Sequence, residues 1–358
     1  MKQLEWVNVA KGIAIIAVVL SHTNHGLLDY NLFPLKSIVY GIWFVPLFFV
    51  LGGFFIKEEK LCNPKGFIKG KMKSLYSLLL YFYIPAVLLH NVFLDIGFYD
   101  TVTQYGGKTM VYWEPLTFAK ELLLSCCFMG REPILGAMWF VYVLLLALIG
   151  FSIISFILRK YVDNDKYEYV RGILLLAICV ISCSATNLCG ITIPRCNNTL
   201  TAIWLIYCGY ILNQHVKVRY DNKWIVVLSC IIIYHIACIQ GGVSLNTNSY
   251  ADVLTLTVST IASLYVICYI SRKIEKNILG RILAYCGKES FYIMALHFVG
   301  FKLLTLILNE LDFNLNLSSL IAPSNGNIFF AILYVVMGVS FPLLFMFIFR
   351  LLKSKLHK

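Results

Sequence analysis

The chain is built from apolar runs of about membrane-crossing length separated by short basic segments, and few soluble folds accommodate that pattern. A helix that crosses the hydrocarbon core of a bilayer needs roughly 20 mostly apolar residues. Ten stretches are candidates: 9–27, 37–56, 75–94, 134–158, 171–189, 199–213, 224–240, 251–270, 290–309 and 328–350. Segment 116–129 is amphipathic and too short to span, so it is expected on the outer surface or re-entering the membrane. Composition agrees: 59% of residues are hydrophobic and 13% charged, against about a quarter charged in a soluble domain. A soluble fold of this composition would expose large apolar patches.

Charge placement gives an orientation. With the N-terminus in the cytoplasm, the inside segments carry Lys2 and Lys11, the lysines of 57–73, Arg159 to Arg171, Lys217 to Lys223, Arg272 to Lys288, and Arg350 to Lys358. Only Lys36, Lys108, Lys120, Arg131 and Arg195 fall outside, and Lys302 lies within the ninth run. The bias persists through every loop, as the positive-inside rule requires. The expected fold is therefore all-α, a polytopic membrane helix bundle with about ten spans and both termini cytoplasmic. The net charge of +12 does not imply nucleic acid, because the basic residues are scattered among membrane-flanking clusters. The N-terminal run lacks a small-residue cleavage site and reads as a retained helix. No internal repeat is visible, and 1–358 reads as one membrane domain.

Most of the twelve cysteines lie inside apolar runs, where Cys packs as a small hydrophobe. None has metal-site spacing, so no metal is expected. Cys189 and Cys196 flank a short outer loop and are the one pair placed for a bridge; two free thiols is the simpler reading.

Ionisable residues inside a membrane mark function. Lys11 and His22 are eleven residues apart, which is three helical turns with about 20° of drift, so both lie on one face with a rise of roughly 16 Å between them. Lys11 would sit near the cytoplasmic surface and His22 well inside. The structural alternative is a snorkelling Lys and a His bonded to a neighbouring helix. His25 reads as an interface residue. His297, in GKESFYIMALH, is a second buried His on the ninth run, with Ser290 as the expected helix cap. The stretch KGFIKGKMK (65–73) could take phosphates or simply face anionic lipid. Lys302 is buried halfway along its helix, and His235 reads as structural. No GxSxG, HExxH or Walker-type motif occurs.

Together these segments resemble acyltransferase family 3 from end to end. AKGIAIIAVVLSH (10–22) is similar to the family's opening helix, where a basic residue and a His are separated by ten residues, as Lys11 and His22 are. PLFFVLGGFFIK (46–57) resembles its FF-x-L-S-G-F segment with Gly52 in place of Ser, MWFVYVLLLA (138–147) its WF-L helix around Trp139, and GKESFYIMALH (287–297) its late G-x-x-S-x-Y-x-x-x-x-H segment, with Ser290, Tyr292 and His297. The opening Trp6–Asn8–Ala10–Lys11–Gly12 leans toward the fucose 4-O-acetylase-like branch. The chain departs at 69–78, where Lys69, Lys71, Lys73, Ser74 and Leu78 stand in place of the usual Arg-rich run and Pro. Lysine lacks arginine's bidentate fork.

The resemblance implies O-acyl transfer, usually of acetyl from acetyl-CoA, to a hydroxyl of a cell-surface glycan or its lipid-linked precursor, in the cytoplasmic membrane of a bacterium. Acetyl-CoA would be a substrate, with no bound cofactor. His22 would be the base or the acyl carrier. His297 would orient it or stabilise charge on the thioester oxygen. Lys11, Lys71 and Lys73 would neutralise donor phosphates, and Trp139, Ser290 and Tyr292 would give structural support. A glycan or lipid transporter, or a polymerase of a glycan biosynthetic cluster, is the competing reading. A transporter would want broken helices in paired positions, which the sequence lacks.

Overall fold

The structure, a computed structural model, describes residues 5–24, 38, 41, 43–99, 101, 104–105, 108–240, 243–317, 320, 322–323 and 328–356. Lys2, His25, Lys36 and parts of the first two expected spans lie outside them. In chain order the helices are α1 (Glu5–Ser21), α2 (Phe44–Phe54), α3 (Glu58–Leu61), α4 (Pro64–Lys71), α5 (Ser77–Leu88) and α6 (His90–Asp95). There follow α7 (Pro115–Cys126), α8 (Trp139–Tyr161), α9 (Asn164–Asn187), α10 (Cys196–Gln214) and α11 (Lys223–Gln240). The last are α12 (Val253–Ile274), α13 (Ile278–Lys288), α14 (Ser290–Glu310) and α15 (Ile328–Leu356). A π-turn, Met72–Tyr76, joins α4 to α5, and a 3-10 turn, Pro133–Met138, leads into α8. Among the described residues, extended pairing is limited to two-residue strands and one isolated bridge: β1 (Thr23–Asn24) runs parallel to β4 (Ala322–Pro323), β2 (Gln104–Tyr105) antiparallel to β3 (Lys108–Thr109), and Ser244 pairs with Ser249.

The fold is an all-α membrane helix bundle. Among the described residues, five helical stretches are long and apolar enough to cross a membrane: Pro133–Tyr161, α9, α12, α14 and most of α15. The other expected spans are shorter helices. Of these, α1 has 17 residues, α2 has 11, α11 has 18 and α10 has 19. The third is interrupted. Pro85 sits inside α5 and has no N–H to give the helix ladder, and the chain breaks at Leu89 before restarting as α6. Segment 116–129 forms the amphipathic α7.

The chain divides into two compact units. Unit 1 comprises Met1–Leu32, Leu80–Met138 and Ile274–Lys358; unit 2 comprises Phe33–Leu79 and Trp139–Lys273. Each is organised on a helix pair in which glycine lets backbones touch. In unit 1, α1 packs along α13. A Cβ added at Gly12 would stand 1.9 Å from the Leu283 carbonyl oxygen, and one at Gly287 would stand 1.8 Å from that of Asn8. In unit 2, α2 packs on α10 in the same way: a Cβ at Gly53 would meet the Ile206 oxygen at 2.0 Å, and one at Gly209 the Val50 oxygen at 1.9 Å. Small residues at such contacts are how membrane helices gain van der Waals packing without a hydrophobic drive.

Three expectations are corrected. The stretch Arg272–Lys288, read as a basic loop, contains α13, whose start is capped by Asn277 accepting from the Gly280 N–H at 2.8 Å. Its small residues Gly280, Ala284 and Gly287 are buried on one face, while the charged Arg281 and Lys288 are exposed. Ser290 is the first residue of α14 rather than its cap; Glu289 holds the cap position, makes no capping bond and instead pairs with Arg350. Arg171, counted among loop cations, is fully buried in α9. Cys189 and Cys196 are both free.

In unit 2, Arg171 is enclosed by the rings of Tyr167, Tyr210, Phe151 and Tyr207, 4.6 to 5.7 Å from its guanidinium carbon. It donates to Glu58 at 3.2 Å and to Glu168 at 2.5 Å. Arg159 also donates to Glu58, at 2.8 Å, and the Tyr210 hydroxyl does so at 2.6 Å. Burial pushes the Glu58 carboxyl up, but Tyr210, Arg171 and Arg159 outweigh it and hold the group below its ordinary range.

Candidate active site

The packing of α1 along α13 and its continuation α14 in unit 1 brings His22 and His297 together. His22 follows the last residue of α1, and its ring Nδ1 lies 2.8 Å from the Val18 carbonyl oxygen one turn back. His297 sits in the second turn of α14, with Nδ1 3.1 Å from the Ile293 oxygen and 3.0 Å from that of Met294. A carbonyl only accepts, so in both rings Nδ1 carries the hydrogen. In the neutral imidazole that leaves Nε2 as a bare lone pair. The two ring centroids are 5.1 Å apart at 47°. Phe298 closes one side, 4.2 Å from His297 and 5.0 Å edge-on from His22.

His297 is 0% exposed, and its Nε2 has no hydrogen-bond partner among the described residues. Leaving a buried acceptor empty costs about 1–3 kcal/mol, and such orphans mark functional positions. His22 is only partly buried. The pair therefore combines one reachable and one enclosed basic nitrogen.

Lys11 lies three turns back along α1, partly buried and in no ion pair among the described residues. One turn before it stands Asn8, which sequence reading quoted only as part of a motif. It is fully buried, and neither its amide nitrogen nor its oxygen has a partner among the described residues. An amide within an apolar run was the available signal. Tyr292 and Ser290 lie elsewhere, at the start of α14, where Tyr292 meets Phe82 at 6.0 Å and the Arg350 guanidinium at 5.5 Å. Lys302 is buried further along α14 and donates to the Leu317 carbonyl.

In unit 2, Lys71 lines a cavity of about 490 Å³ together with Lys60, Phe55, Phe67 and Asn63. Its ammonium stands 5.4 Å from the Phe67 ring. Lys73 is exposed and does not line the cavity. Trp139 opens α8, 6.2 Å edge-on to Phe140.

A third cluster, in unit 1, escaped the sequence. His90 and Glu132 are 0% and 1% exposed, with His90 Nδ1 3.0 Å from Glu132 Oε2 and Nε2 3.2 Å from the Val111 oxygen. The Tyr99 hydroxyl donates to Glu132 Oε1 at 2.5 Å and accepts from the Ile134 N–H at 2.8 Å. Trp113 stacks on His90 at 3.5 Å. Burial holds the Glu132 carboxyl above its ordinary range, and the bonds from His90 and Tyr99 only partly offset it. Among the described residues no cluster has the make-up of a metal site.

Fold and composition define a polytopic membrane protein, and a family model described as an acyltransferase domain matches residues 4–347, almost the whole chain. The chain belongs to acyltransferase family 3, and its activity is O-acyl transfer. Comparison with curated proteins and with solved structures finds no match.

Proposed function

We propose that this acyltransferase moves an acetyl group from acetyl-CoA to a hydroxyl of a cell-surface glycan or its lipid-linked precursor. The observation that carries the reading is the His22–His297 pair, two imidazoles whose local bonds leave both Nε2 atoms free to accept. His22 Nε2 takes the proton of the acceptor hydroxyl as its oxygen attacks the thioester carbonyl. The carbon–sulfur bond breaks, and the thiolate leaves with that proton as the free thiol. In the two-step version Nε2 itself attacks, and the hydroxyl then displaces the acyl group from the ring. His297 has no hydrogen at Nε2 to offer an oxyanion. Its role is to accept, either from the hydroxyl or from His22 once that ring is protonated. In unit 1, Lys11 supplies positive charge for a donor phosphate; within unit 2, Lys71 and Lys60 line a cavity that also holds Glu59 and offer a separate cationic contact, with Lys73 adding to the field there. The basic clusters support cytoplasmic termini, and the resemblance to the family is what favours the cytoplasmic membrane of a bacterium as the location.

The test compares wild type with His22→Ala in bacterial membranes given radiolabelled acetyl-CoA and lipid-linked glycans. Base-labile label in the glycan, lost in a folded His22→Ala protein, supports the reading. Equal transfer by both removes His22 from the site, and transfer by neither means that the donor is not acetyl-CoA or that the acceptor is a different hydroxyl.

A further inference from the structure

A groove of about 560 Å³ lies within unit 1, and no residue of the proposed active site lines it. Its size is that of a ligand pocket, roughly 300–1,000 Å³. Every lining residue is apolar or aromatic, among them Tyr81, Leu89, Phe93, Leu135, Val299 and Phe349. It is more than a lipid-facing surface. The break at Leu89 that follows Pro85 shapes one wall, and Ile134 and Leu135 of the 133–138 turn line the groove as well.

Two features identify an occupant. The first is length. From Tyr81 to Leu89 the groove follows eight residues, roughly 12 Å at 1.5 Å per residue, and Phe93 carries it a turn past the break, which compares with about 15 Å for one leaflet of the hydrocarbon core. That is one acyl chain, and much less than a polyprenyl chain. The second is charge. Phe345 and Phe349 line the groove from α15, and the same helix face continues one turn on to Lys353. Lys353 is exposed and Arg350, beside Phe349, is 49% exposed although it pairs with Glu289. The apolar slot thus ends at a basic rim.

We propose that the groove seats one acyl chain of an anionic phospholipid, with its phosphate at Lys353 and the exposed side of Arg350. The second chain stays in the bilayer. The wall formed by Leu296 and Val299 belongs to the same turns of α14 as His297, so an occupied groove buttresses that helix from the side away from His22.

The full chain, delipidated in detergent, is equilibrated with equimolar phosphatidylglycerol, phosphatidylcholine and a polyprenyl phosphate, and bound lipid is read by native mass spectrometry. One phosphatidylglycerol per chain is expected, at least tenfold over phosphatidylcholine. Val299→Trp fills the slot and should lower retention at least tenfold, with unchanged helicity and elution; Leu89→Trp serves if that variant does not fold. Lys353→Glu should remove the preference for phosphatidylglycerol. No retained lipid, equal retention of the two phospholipids, preferred polyprenyl phosphate, or retention unchanged in the Trp variant would each overturn the proposal.

Discussion

His22 and His297 take their orientation from carbonyls of their own helices, and that bond determines which nitrogen does chemistry. Proton transfer by a placed side chain is worth about 10²–10⁴-fold, so His22→Ala should lose at least 10² in kcat. His297→Ala should lower kcat by a similar factor with little change in KM. His297→Gln, whose amide oxygen can accept in place of Nε2, should recover part of the rate. A second residue-scale prediction concerns Glu132. Its carboxyl is raised by burial, so the native state binds the proton more tightly than the unfolded chain. Stability should fall as pH rises from the ordinary Glu value, near 4.5, through the raised one, by at most about 1.4 kcal/mol per pH unit. Glu132→Gln removes the titrating carboxyl and should make thermal stability flat across that window. The spacing of Lys11 and His22 on one face was legible because helical periodicity alone sets it. The His90–Glu132 bond was not, since its partners are 42 residues apart and nothing local marks either.

At the scale of elements, the glycine contacts fix how α1 lies on α13. Gly287→Ala would place a methyl group against the Asn8 carbonyl, and backbone cannot yield as a side chain can. Overpacking of this kind costs about 1–3 kcal/mol. The variant should melt earlier in detergent and lose transfer activity, because the same packing brings His297 to His22. Gly70, with nothing within 4 Å of its added Cβ, is the control: Gly70→Ala should hold or gain up to about 1 kcal/mol. Apolar periodicity marked the long helices plainly. It missed α13, where only small residues face inward and the basic side chains made the stretch read as a loop. Pro85 does not account for the break in the third span, since the ladder bond it removes points back toward Tyr81 while the Leu89 N–H still reaches the Pro85 oxygen at 2.9 Å.

Across the whole molecule, polar locks hold each unit together from within. In unit 2, Glu58→Ala would leave the fully buried Arg171 with Glu168 as its remaining carboxylate partner. Stranding a buried charge costs about 3 kcal/mol or more; with Glu168 still in place the loss should be smaller than that, and a thermal melt would detect it. Since the Glu58 carboxyl is held below its ordinary range, its contribution is complete above that range and is lost as pH falls through the lowered value. The wild type should show that acid-side loss, and Glu58→Ala should lack it. The membrane class was legible from composition and loop charge, whereas the Arg171 cage was not, because its aromatic walls come from three helices, α8 with Phe151, α9 with Tyr167 and α10 with Tyr207 and Tyr210. The histidine bonds carry one more consequence. Carbonyls belong to every residue, so the ring geometry asks nothing of the side chains at Val18, Ile293 or Met294. Such a site can be inherited through long sequence drift, with its ancestry written in the spacing of a few helical words.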